Sequence, residues 1–220
     1  MLSFSIALTL LATPAHFPQA PQAATAPISI KRTFAASDKA KYDVKVKLET
    51  PGGPAEISGL VTVKVEKLLD AKKASVIMSV ENFKGTGPSD GDPSEFKVDC
   101  DEHGVGDSIG DGNEHIVMSA LAVLSAVPTA DLKVGDNYSF ELKMNNGGLK
   151  VKGTFKDLKE IETRKVGFLE WSGTLTTDGG DFELKVKSQI DIANGRLINA
   201  SADIDNGQVS GKIAIDEKKA

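Results

Sequence analysis

Apolar and polar residues alternate one by one over most of the chain. Val44, Val46 and Leu48 interleave with Lys45, Lys47 and Glu49, and Val61, Val63 and Val65 interleave with Thr62, Lys64 and Glu66. A period of two puts one side chain in a core and the next in water, so these runs predict β-strands with a single buried face. The same phase returns at Val76, Met78 and Val80, at Phe96, Val98 and Cys100, at Tyr138, Phe140, Leu142 and Met144, and at Leu149, Val151 and Phe155. It continues through Leu169, Trp171 and Leu175, through Phe182, Leu184, Val186 and Ile190, through Ile198, Ala200 and Ile204, and through Val209, Ile213 and Ile215. That makes about ten strands. Asn146-Gly147, Asp178-Gly179, Asn194-Gly195 and Asn206-Gly207 fall between such runs and supply the positive φ that tight hairpins need. No helical pattern separates these strands, so the C-terminal half reads as an antiparallel meander and parallel βαβ units are excluded.

One stretch breaks the pattern. HIVMSALAVLSAV, residues 115–127, is almost wholly apolar. Asp111 is placed to cap a helix, Glu114 to complete a capping box, and Pro128 to stop it, which predicts a helix over 111–127. At 100° per residue Ile116, Val117, Leu121, Val123, Leu124 and Val127 share an arc of about 160°, and Ser119, Ala122, Ser125 and Ala126 lie opposite with Met118. A helix of about 14 residues is roughly 21 Å long and 10 Å wide, whereas ten flat strands would span roughly 48 Å. The sheet must therefore curl. The expected fold is mainly β (α+β), a large curled antiparallel sheet or half-barrel of about ten strands wrapped around one short helix. A full closure would be nearly filled by the helix, and a partial curl would leave an apolar hollow.

The chain has 220 residues and a formal net charge of -5, with both signs interspersed, so the sequence announces no basic patch and no nucleic-acid partner. No charged residue occurs in the first thirty, and residues 2–12 form an apolar segment of about eleven residues, too short for a membrane span. Followed by Pro14 and Ala15, it reads as the core of a secretory signal peptide. Cleavage fits after Ala15 and also after Ala24-Thr25-Ala26, where Pro27 disfavours it, and the absence of Lys or Arg before the segment leaves a start upstream of Met1 open. The expected organisation is a signal peptide and the start of a linker over 1–26, a linker over 27–40, and one β-rich half-barrel domain over 41–220. Export to the periplasm or the exterior is the expected localisation, with no transmembrane segment. Cys100 is the only cysteine, so no internal disulfide and no thiolate zinc site can form.

The helix runs into VPTADLKVGDNYSFEL and a series of hairpins. This layout resembles a bacterial family of exported proteins of uncharacterised function, in which a helix ending in a P-x-x-x-(x)-V-x-x-G-D-x-W type segment precedes a C-terminal meander. Pro128, Val134, Gly135 and Asp136 match it, with Tyr138 near the aromatic position, and the resemblance extends from about Lys41 onward. More distantly the arrangement is similar to the LolA-type periplasmic lipoprotein carriers and to mycobacterial lipid-binding lipoproteins, whose helices plug a concave sheet. That resemblance implies hydrophobic cargo and no catalytic residues. The chain departs from those carriers in having fewer helices and no lipid-anchoring cysteine.

Little in the sequence suggests chemistry. The loop DCDEHGVGDSIGDGNEH, residues 99–115, gathers carboxylates with His103 and His115, but a calcium-loop count from Asp107 puts Ile109 and Met118 at ligand positions, and no histidine pair has zinc spacing. It reads as a polar connection in which Asp99 and Asp101 face solvent. Cys100, in phase with Phe96 and Val98, reads as a buried thiol. Nucleophile elbow, H-E-x-x-H, C-x-x-C and P-loop are all absent, so no enzyme, cofactor or metal is expected. An outer-membrane barrel would turn its Lys and Glu positions to lipid. The sequons at Asn137 and Asn199 matter only in a eukaryotic secretory pathway. The leading expectation is an exported soluble protein that binds a lipid, another hydrophobic ligand or a lipidated partner in its concave face, lined by Met118, Ala122 and Ala126 on the helix and Phe140, Trp171 and Phe182 on strands. The alternative is a structural or protein-interaction module with the helix plugging a closed barrel and no ligand.

Overall fold

In the computed structural model, which describes residues 26–85, 95–104, 113–144 and 147–219, the alternating runs form the strands β2 (Lys39–Thr50), β3 (Gly53–Leu68), β4 (Ala74–Lys84) and β5 (Glu95–Cys100), then β7 (Asn137–Met144), β8 (Gly147–Ile161), β9 (Arg164–Thr177), β10 (Gly180–Asp191), β11 (Arg196–Asp205) and β12 (Ser210–Lys218). All ten join one antiparallel sheet in the order β5-β4-β3-β2-β12-β11-β10-β9-β8-β7. Two meanders meet in the middle, where β2 pairs with β12 from Lys41↔Lys218 to Glu49↔Ser210. The expected curled antiparallel sheet around one short helix is what forms, and it stays open between the edges β5 and β7. Two further strands, β1 (Ile28–Ile30) and β6 (Ala130–Leu132), make a separate small ladder. β1 lies in the segment expected as linker, with Ile30 fully buried.

The curl is strong. Register shifts at Ser58/Leu60, Val65/Lys67, Phe155/Asp157 and Gln189/Ile190 interrupt the ladders, and such irregularities bend strands and increase twist. The segment after β5 meets β7 across the opening: the His103 ring stacks on Phe140 at 4.9 Å between centroids, and its Nδ1 lies 2.9 Å from the Val127 carbonyl. The N-terminal segment straps the same end. Arg32 N–H donates to the Glu102 carbonyl at 2.8 Å and Thr33 N–H to the Asn194 carbonyl at 2.9 Å. At the β10–β11 turn Gly195 has φ +65°, and a Cβ there would stand 2.3 Å from the Lys31 carbonyl oxygen, so the strap requires glycine.

The helix α1 (Asn113–Leu124) packs on β2, β3 and β4. Asp111 lies outside the described residues, as do the Glu114 and His115 side chains. Val117, Leu121, Val123, Leu124 and Val127 of the bulky arc are buried, as is Ala120 within that arc, and so are Met118 and Ala126 of the other side, as in a helix apolar all round. Ser119, Ala122 and Ser125 remain half-buried. The core is continuous from this helix through Val44, Val46, Val61 and Ile215 at the centre of the sheet to Phe155, Leu149 and Leu169 in the C-terminal meander.

Candidate functional site

The concave face is packed. Of the residues expected to line a hollow, Met118, Ala126 and Trp171 are buried in the core, while Ala122, Phe140 and Phe182 are half-buried. They do not gather round one space: Phe140 is taken by His103 at the sheet opening, and Ala122 faces a small pocket that Trp171 and Phe182 do not reach. This pocket, about 50 Å³, lies between α1, β2 to β5 and the strap. Its lining includes Leu121, Ala122 and Ser125 from the helix side, Met78 and Val98 from strands, and Phe34 and Arg32 from the N-terminal segment. Cys100 lines it too and is buried, in the phase expected from the sequence.

Beside this pocket is a polar knot. The Glu217 carboxylate, almost fully shielded, accepts from Arg164 Nη1 at 2.5 Å and pairs with Arg196 Nη2 at 2.9 Å, while Asp191 stands 4.0 Å from Arg164. The hydrogen bond to Glu217 raises the Arg164 pKa above its usual value. Burial lowers that of Arg32, which lies 5.2 Å over the Phe34 ring. Tyr42 donates its hydroxyl to the Leu197 carbonyl at 3.1 Å, and burial pushes its pKa up to about 12 despite Arg32 and Arg196 nearby. Every group here is occupied by another part of the chain or sealed under it, which suits a structural clasp between β2, β9, β11 and β12.

The other face of the sheet carries a larger feature. Strand register aligns exposed side chains in two rows across seven strands. One row runs Lys47, Lys212, Asp203, Lys185, Ser172, Lys152, Ser139, and the next runs Lys45, Ala214, Ser201, Lys187, Glu170, Thr154, Asn137. Between them lies a row that turns its side chains into the core: Val46, Ile213, Ala202, Val186, Trp171, Gly153 and Tyr138. The two exposed rows wall an open groove of about 1270 Å³, floored by the row between them. Six lysines line it against two carboxylates, Glu170 and Asp203. Lys187 pairs with Glu170 at 3.6 Å, Lys212 with Asp203 at 3.8 Å, and Lys47 with Glu56 outside the groove at 3.4 Å. Lys45, Lys152 and Lys185 have no ion-pair partner among the described residues. In a chain of net charge -5, folding has segregated the charge that the sequence intersperses.

Gly153 leaves room for Tyr138 beneath the groove floor. A Cβ there would lie 2.5 Å from Tyr138 Cζ, 2.6 Å from its hydroxyl and 2.7 Å from Trp171 Cβ, so the Tyr138 side chain occupies the space a side chain at 153 would need on the core face. Trp171 thus belongs to both settings, its indole in the core and its strand position in the groove floor. Alternation turns Lys45 and Lys47 outward but does not show the lateral alignment of the groove lysines, because strand register across six pairings decides it. Among the described residues no three His, Cys, Asp or Glu side chains converge as they would around a metal ion, and no helix is long and apolar enough to cross a membrane.

No family model matches the chain, and no curated protein does. Among solved structures it is similar to a Bacteroides fragilis exported-protein candidate with a YmcC-like fold, at 9% identity and TM-score 0.40 over 87% of this chain and 100% of that one. It is also similar to the hypothetical lipoprotein YmcC of Escherichia coli, at 13% identity and TM-score 0.26 over 78% of this chain and 85% of that one. A DUF1329 family protein from Desulfovibrio piger follows at 9% identity and TM-score 0.26, over 83% and 85% of the two chains.

Proposed function

We propose that this is an exported binding protein without catalytic activity, that its helix is a structural filling for the concave face, and that it takes an anionic ligand on the lysine groove. The observation that carries the reading is the contrast between the two faces. The pocket beside the helix on the concave side holds about 50 Å³ among the described residues, room for a few water molecules, whereas pockets for small organic ligands run to about 300–1,000 Å³. The polar side offers about 1270 Å³ with an excess of cationic groups. Cargo buried beside Ala122, as expected of a lipid carrier, would have to part the helix from the sheet and break one continuous core. Export rests on the N-terminal apolar segment, which lies outside the described residues. The absence of catalysis is supported by the tied-down His103, whose ring is held between Phe140 and the Val127 carbonyl.

Calorimetric titration with inorganic tripolyphosphate at low ionic strength tests the anion site. Saturable binding by the wild type that is lost in the K152Q/K185Q/K212Q variant supports it. Unchanged binding by the variant, or none by the wild type, overturns it. Native mass spectrometry of protein from its own host tests the other half: a co-purified amphiphile would contradict a filled concave face.

A further inference from the structure

We infer that the occupant of the groove is a linear acidic polysaccharide laid across the strands of the C-terminal meander; this rests on reading the groove as an anionic-ligand site. Spacing is the first observation. Lys212, Lys185 and Lys152 fall in one row on β12, β10 and β8, every second strand, so their attachment points repeat at roughly 10 Å along a line perpendicular to the strands. A one-dimensional array of cations suits a polymer that bears one anionic group per short repeat, and a short anion such as tripolyphosphate would occupy only part of it. The path is long: six inter-strand steps of about 4.8 Å give roughly 29 Å from β2 to β7.

The chemistry between the lysines is the second observation. Asp203, paired with Lys212, stands between Lys212 and Lys185, Ser172 between Lys185 and Lys152 in the same row, Ser139 lies beyond Lys152, and Ser201 and Thr154 take positions in the neighbouring row. Hydroxyls that both donate and accept match the hydroxyls of sugars. Shape and the missing aromatics exclude the rival polyanions. A groove walled by two rows receives a chain, whereas a bilayer surface would contact only its rims. Single-stranded nucleic acid binds on stacked aromatic side chains, and the two aromatics of the floor, Tyr138 and Trp171, are buried on the opposite face.

The test is binding of the full folded chain to fluorescently labelled alginate oligosaccharides by anisotropy over a salt series, with labelled oligo-dT and phosphatidylglycerol vesicles in parallel. The prediction is saturable binding to alginate that weakens steeply with salt, and at least tenfold weaker binding for K152Q/K185Q/K212Q, with the log–log salt slope reduced by about two to three. The K31Q/K73Q/K133Q variant, altered at exposed lysines outside the groove, should stay within twofold of wild type. No alginate binding, equal loss in both triple variants, or tighter binding to oligo-dT or to vesicles at matched salt would each overturn the proposal. If tripolyphosphate titrates the groove but alginate does not bind, only the polysaccharide assignment fails; if neither binds, the anionic-ligand reading fails with it. Circular dichroism spectra of both variants that superimpose on wild type establish that the comparison concerns folded protein.

Discussion

Replacing Gly153 by alanine should damage the sheet where core and groove share one row of backbone. The added methyl would stand 2.5 Å from Tyr138 Cζ and 2.7 Å from Trp171 Cβ, about 1 Å inside ordinary carbon contact. The Tyr138 ring could move, but Trp171 Cβ is fixed to the backbone of β9, which pairs Trp171 directly with Gly153. Relief therefore requires displacement of β8 against β9. Overpacking of this kind costs about 1–3 kcal/mol, and the double contact puts this site near the upper end, about 2–3 kcal/mol. In a domain of this size that lowers the melting temperature by roughly 4–12 °C. The tyrosine supplies the control. Its hydroxyl is buried with no hydrogen-bond partner among the described residues, so Tyr138→Leu removes an unsatisfied polar group and a ring that needs the glycine. Urea denaturation of wild type, G153A, Y138L and the double variant closes the cycle. G153A should cost at least about 1 kcal/mol less in the Y138L background, a coupling expected of residues in contact. Equal cost in both backgrounds, or a cost below about 0.5 kcal/mol in the wild type, would refute the geometry.

The buried carboxylate of the polar knot predicts a second loss: Glu217→Gln leaves Arg164 and Arg196 without their shared partner and should cost about 2–3 kcal/mol by urea denaturation, because Arg164 keeps some solvent, whereas Glu56→Gln in the exposed pair with Lys47 should leave the melting temperature unchanged. Both tyrosines of the chain have raised pKa values from burial, Tyr42 to about 12 and Tyr138 further up. The folded state therefore holds protons that the unfolded state releases, so stability present below pH 10 falls as pH rises from about 10 towards the folded value. Tyrosinate absorbance should appear only with cooperative alkaline unfolding, and a separate titration near pH 10 in folded protein would contradict it. Leu121→Ala, on the wall of the 50 Å³ pocket, should cost about 3–4 kcal/mol by urea denaturation, and a cost below about 1 kcal/mol would contradict the packing of the helix on the sheet.

The fold was legible wherever alternation lasted long enough to set a phase. All ten principal strands and the meander show in the placement of residues such as Val44, Val46, Leu184 and Val186, and the curl follows from the width of ten strands against one helix. β1 and β6 were not legible, because three residues carry no period; Ile30 is buried through pairing between β1 and β6, about a hundred residues apart. The helix residues were visible, but not that both of their faces would be covered, since Phe34 and Arg32 reach the pocket beside Ala122 from a segment that reads as a linker. The groove was hidden for a different reason. Lys45 and Lys187 are each an ordinary outward residue of an alternating strand, and only the register of five successive strand pairs brings them into one row with Ser201 and Thr154.

Residue-resolved NMR during titration with tripolyphosphate tests most directly whether ligand meets the polar face over a filled core. Saturable shifts should centre on the amides of Lys152, Lys185, Lys187 and Lys212, with the methyl resonances of Val117, Leu121 and Leu124 unmoved. Shifts confined to those methyl groups, or spread evenly over both faces, would contradict the account.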